Sequence, residues 1–156
     1  SSREQMAEIL RRTTAAEAEA VGPVLDSARI IEHQRLVRRV AIAPHVQDYA
    51  IRLVLATHPK GELSAGDYAT PMVNQFVRIG ASPRAAQALV LAAKCRAMLD
   101  ARAAAAVEDV RWAASAALRH RLILNFEGQA EGIGTDDVIR NIVDTVPVEA
   151  AGVPAA

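Results

Sequence analysis

Aromatic residues are scarce in this 156-residue chain, at 3% against 51% hydrophobic residues overall. Its core must therefore be built from Ala, Leu, Val and Ile, and alanine is the best helix former. Lysine is almost missing: Lys60 and Lys94 are the only two, so the positive charge is nearly all arginine. Arginine grips phosphate and carboxylate in a fork that lysine cannot copy, although an Ala- and Arg-rich bias is also what GC-rich coding produces. An excess of one sign is absent too, with 18 basic and 18 acidic residues. That balance gives no bulk attraction to nucleic acid or anionic lipid and argues against an Arg-rich DNA binder. The single cysteine, Cys95, can form no internal disulfide and is expected to fill core space on an apolar helix. No uncharged apolar run of about 18 residues exists to cross a membrane. Residues 1–20 are charged and unlike a signal peptide. A soluble cytoplasmic protein is the expectation.

The chemical motifs are missing as well. There is no G-x-x-x-x-G-K-[ST] loop to cradle phosphates, and no hydrophobic strand ending in paired acids to hold Mg²⁺. There is no G-x-S-x-G elbow, no Cys–Cys pair and no H-E-x-x-H spacing. His33, His45, His58 and His120 are scattered, so no metal site is expected.

What is present is helical punctuation. A short helix fits 3–12, with Met6, Ile9 and Leu10 on one side, before Gly22-Pro23 breaks the chain. A second fits 26–39, capped by Asp26 or Ser27, with Ile30, Ile31, Leu36 and Val37 inward. Val40-Ala41-Ile42 reads as a small strand. Pro44 opens a third helix to about His58, with Val46, Tyr49, Ala50, Leu53, Val54 and Ala56 at helical spacing. Residues 59–70 read as an exposed loop, and 71–79 as either a helical turn or an extended piece. A fourth helix, 83–100, is apolar on most sides and expected to be central. A fifth runs from Val107 to about 121 through Val110, Trp112, Ala113, Ala117 and Leu118. Ile123-Leu124 suggests another brief strand. Thr135-Asp136-Asp137 caps a last helix with Val138, Ile139, Ile142 and Val143 buried, and 147–156 reads as a loose tail.

The most informative stretch is Gly80-Ala-Ser-Pro-Arg-Ala85. Ser82 can cap the helix through its hydroxyl, Pro83 fits the first helical position, and Gly80 permits a sharp turn. The open N–H groups and dipole of a helix start favour an anion. A positive charge is unfavourable there, so Arg84 is easiest to explain if an anion binds beside it. Arg35, Arg38 and Arg39, and Arg119, His120 and Arg121, read either as solvated or dipole-complementing charge or as contacts to a partner subunit or phosphate.

Together these residues resemble the C-terminal lid domain of MoxR-type AAA+ ATPases. The matching elements are Glu4–Leu10, Val40–Ile42 before Val46–Tyr49, Gly80–Ala85, Val107–Val110, and Leu118–Leu122 with Glu131-Gly132. The resemblance covers about residues 3–146; the 59–70 loop matches no motif of it. It implies an all-α helical-bundle lid over 1–146, allowing one or two very short strands, that follows an α/β nucleotide-binding core. It gives Arg84 the sensor-2 role, reaching the γ-phosphate of ATP, with Ser82 and Ala85 beside it as nucleotide-binding positions. It implies Mg²⁺ held by the core, with P-loop, sensor-1 residue and arginine finger upstream of Ser1, so this piece alone would not hydrolyse ATP. It further implies that the lid works with its own core and with neighbouring subunits of a ring, in a chaperone-like remodelling factor with a von Willebrand factor A-domain protein as partner. The competing reading is a helical protein-interaction module that needs no nucleotide.

Overall fold

Helices dominate a computed structural model that describes residues 2–14, 22–61 and 66–149. The order is α1 (Arg3–Thr14), α2 (Ser27–Arg39), β1 (Ala41–Ile42), α3 (Pro44–Leu55), α4 (Pro71–Phe76), β2 (Val77–Ile79), α5 (Pro83–Leu99), β3 (Ala104–Ala105), α6 (Val107–Leu118), β4 (Ile123–Leu124), α7 (Phe126–Ala130) and α8 (Thr135–Thr145). The mainly all-α expectation stands. The short strands are more numerous than expected and pair far along the chain. β1 lies parallel to β3, Ala41 opposite Ala104, and β2 runs antiparallel to β4, Val77 opposite Leu124.

The chain divides into two compact units, 1–33 and 34–156, the boundary falling inside α2. In the first, α1 runs on to Thr14, whose hydroxyl donates to Leu10 O at 2.6 Å. Met6, Ile9 and Leu10 do share the helix but are exposed. The expected inward stripe of α2 fails in the same way: Ile30, Ile31 and Leu36 are exposed. Asp26 does cap α2, accepting the Arg29 N–H at 2.8 Å.

In the second unit, Val46, Tyr49, Ala50, Leu53, Val54 and Ala56 are buried as their spacing predicts. Pro44 and Pro83 each sit at the start of their helix, where the lost N–H costs nothing. α5 is not apolar all round: it buries one stripe, Ala85, Leu89, Ala93 and Ala97, at four-residue spacing, and packs chiefly on α6. Three of those four side chains are alanine, which lets neighbouring backbones approach closely. Cys95 lies off this stripe and is only half-buried. Residues 71–79 satisfy both expected readings in turn, as α4 and then β2. Val138, Ile139 and Ile142 of α8 close the core, with Val143 packed at its margin. The helix is capped by Asp137, which accepts the Gly134 N–H at 3.0 Å.

The tail expected over 147–156 is not loose at its start. The buried Arg52 guanidinium donates to Pro147 O at 2.5 Å and Val148 O at 2.7 Å while its Nε pairs with Asp48 at 2.8 Å. Residues 150–156 lie outside the described residues, as do 62–65 of the 59–70 loop. The rest of that loop is anchored at both ends. Lys60 N–H donates to Asn74 Oδ1 at 2.8 Å, and Asp67–Pro71 wall a cavity of about 420 Å³ with Arg52 and Thr145–Pro147.

Candidate functional site around the start of helix α5

β2 delivers the chain to Gly80, whose glycine is required by a close approach, since its φ is not in the left-handed region. A Cβ there would lie 2.7 Å from Thr57 O and 2.9 Å from the His58 ring. Ala81 is fully buried and its N–H donates to Thr57 Oγ1 at 2.9 Å. Ser82 takes the N-cap position with extended backbone, φ −68° and ψ 166°, but its exposed hydroxyl caps nothing. The expected hydroxyl cap is replaced by backbone: Ser82 O accepts the Ala85 N–H at 2.8 Å. Ala85 itself is buried, with its N–H held within the first turn.

Arg84 follows Pro83 and is exposed. Among the described residues its side chain makes no hydrogen bond, ion pair or ring contact. The partial positive charge of the helix start disfavours a guanidinium there, and no carboxylate among the described residues pairs with it. Beside it runs a groove of about 380 Å³ lined by Ile51, Val54, Leu55, His58, Ala81, Pro83 and Ala86. Ile51 and Leu55 expose apolar surface from α3 at this place. The arrangement can present a guanidinium fork and the free Ser82 hydroxyl to an anion, next to an apolar wall. No group of three His, Cys, Asp or Glu among the described residues is placed to hold a metal.

The other arginine groups are satisfied differently. After α6, Arg121 Nε donates to Ala117 O at 2.9 Å, and Arg119 Nη2 to Ser115 Oγ at 3.1 Å, the dipole-complementing arrangement. Arg35, Arg38 and Arg39 are exposed on α2, and His120 is exposed beyond α6.

Sequence reasoning missed the far end of α5. There the helix ends in a left-handed residue, Ala101 at φ 55°. Arg102 N–H reaches Ala97 O at 2.8 Å and Ala101 N–H reaches Met98 O at 3.0 Å, a Schellman turn built without glycine. The turn aims Arg102 at Asp109, which is buried, with Nη2–Oδ1 at 2.6 Å and Nη1–Oδ2 at 2.8 Å. The same carboxylate accepts Ala106 N–H at 2.8 Å. The Arg102 hydrogen bonds hold the Asp109 carboxyl below the usual carboxylate range, against the opposing effect of burial. Trp112 is exposed, and its ring carries the Arg96 guanidinium 5.0 Å from its centroid. Thr57 had no sequence signal, because it matters through Ala81, 24 residues further along the chain.

Residues 70–142 match the AAA lid domain family. Over 123 residues the chain is 29% identical to the chaperone MoxR1 of Mycobacterium tuberculosis, covering 79% of this chain and 31% of that protein. It is 30% identical over 132 residues to the uncharacterized protein YeaC of Bacillus subtilis, covering 83% and 36% respectively. A crystal structure of a proposed ATPase from Cytophaga hutchinsonii superposes with a TM-score of 0.74 at 30% identity, covering 94% of this chain and 43% of that one. The chain thus spans about a third of the length of the curated relatives it matches.

Proposed function

We propose that this chain, which belongs to the lid domains of MoxR-type AAA+ ATPases, couples the nucleotide state of an ATPase core to lid position through Arg84. The observation that carries the reading is an exposed arginine, without a partner among the described residues, at the start of a long helix. In this account the Arg84 guanidinium donates to the terminal phosphate of ATP held by the core. There it spreads the charge that develops during hydrolysis. Loss of that phosphate removes the contact and frees the lid to rotate. Ser82 contributes its hydroxyl, and the core supplies the Mg²⁺ ligands. Neighbouring subunits of a ring, a von Willebrand factor A-domain partner, a remodelling role and a cytoplasmic location belong to the same proposal. The name of the MoxR1 relative, a chaperone, supports the remodelling part. No helix among the described residues is long and apolar enough to cross a membrane.

The test is ATP turnover by the protein carrying the core. Arg84→Ala should lower kcat by about 10²-fold, the usual cost of losing one preorganised donor to transition-state charge. Wild-type turnover would refute the proposal.

The exposed Trp112 and Phe126 favour a second reading, a protein-interaction module. That reading predicts partner binding indifferent both to nucleotide and to Arg84, which a titration in ATP and in ADP would measure.

A further inference from the structure

We infer that Thr57 is a positioning residue for Arg84, acting through a latch that ties the end of α3 to the turn that opens α5; the inference rests on the sensing role proposed for Arg84. Thr57 is completely buried, and its hydroxyl carries one proton. Oγ1 accepts the Ala81 N–H at 2.9 Å, and its own proton goes to Val54 O at 2.6 Å. One hydroxyl therefore joins the last turn of α3 to the residue that precedes Ser82, Pro83 and Arg84. Among the described residues it is the only side-chain hydrogen bond made to or from residues 77–93. Ser82 supplies no side-chain cap, so no second side-chain bond orients the first turn of α5.

Gly80 makes the latch possible. With 2.7 Å between its notional Cβ and Thr57 O, any side chain would push the turn off α3. The His58 ring beneath it is itself fixed, Nδ1 to Val54 O at 3.1 Å, with the ring nitrogen as donor because a carbonyl can only accept. Ala81 is sealed from solvent, so without the hydroxyl its N–H has no water to turn to. The turn must then move to satisfy it, and Arg84 moves with the turn. Displacing a group whose contact with the phosphate strengthens in the transition state lowers kcat more than it raises the KM for ATP.

The experiment uses the protein with its ATPase core and reads both amide hydrogen exchange and turnover. Thr57→Val keeps the shape and deletes the hydroxyl; Thr57→Ser keeps the hydroxyl; Gly80→Ala breaks the latch from the other side. Thr57→Val and Gly80→Ala should each speed exchange at the Ala81 amide and lower kcat by about tenfold, with the KM for ATP within about twofold of wild type. Thr57→Ser should match wild type in both readouts. In an Arg84→Ala background, Thr57→Val should cost no further turnover. A folded Thr57→Val protein with normal kcat overturns the positioning role, as does a serine variant no better than the valine one, or a loss that adds to that of Arg84→Ala. If Thr57→Val fails to fold, Gly80→Ala decides, and normal turnover there overturns the inference. Normal turnover in Arg84→Ala overturns the sensing reading and with it this role. A slow Arg84→Ala beside a normal Thr57→Val removes the positioning role alone.

Discussion

The two ends of α5 treat arginine in opposite ways. At the C-terminal end Arg102 makes a two-pronged contact with the buried Asp109, and Arg96 lies 3.6 Å from the same carboxylate. At the N-terminal end Arg84 is exposed with no partner among the described residues. The first is how a fold uses arginine for itself: paired, hydrogen-bonded, and placed where the helix dipole favours a cation. The second reverses each of those conditions. One helix thus separates an arginine bound into the fold from one that is exposed and makes no contact among the described residues.

That contrast can be broken at the structural end first. Asp109→Ala deletes the Arg102 hydrogen bonds and leaves the Ala106 N–H without its acceptor, and should destabilise the fold by about 1–3 kcal/mol, measured by chemical denaturation. The pH dependence is the milder form of the same lesion. Because the folded carboxyl titrates below its unfolded value of about 3.9, its contribution is fully present above that pH. It is lost as pH falls through the folded value. Asp109→Asn should flatten that acid limb of the stability profile. Ala101→Gly relieves a left-handed alanine at the turn and should add about 1 kcal/mol of stability in the same denaturation assay. Arg84→Ala, at the other end, should change stability by no more than about 0.5 kcal/mol, because no interaction among the described residues is lost. A large loss there would mean that the two ends are alike.

Much of the frame was legible. Pro44, Pro83 and the spacing of Val46, Tyr49, Ala50 and Leu53 marked helices whose buried faces follow directly. What failed has a common cause. Ile30, Ile31 and Leu36 have helical periodicity, but periodicity reports an apolar face and not what covers it. β2 and β3 are two or three residues long and exist through partners distant in sequence. α7 depends on Asn125, whose side chain accepts Gly128 N–H at 2.9 Å and donates to Gln75 O at 2.5 Å. At the candidate site the sequence located the helix start that carries Arg84, but the hydroxyl cap expected of Ser82 is not made. A backbone carbonyl, invisible to residue patterns, closes the first turn there.

The most direct measurement is amide hydrogen exchange across residues 82–89, compared between a non-hydrolysable ATP analogue and ADP in the protein carrying the core. If Arg84 meets the terminal phosphate, the start of α5 is more protected with the ATP analogue than with ADP, and Arg84→Ala abolishes the difference. Equal exchange in the two nucleotides, or a difference that persists in Arg84→Ala, would contradict it.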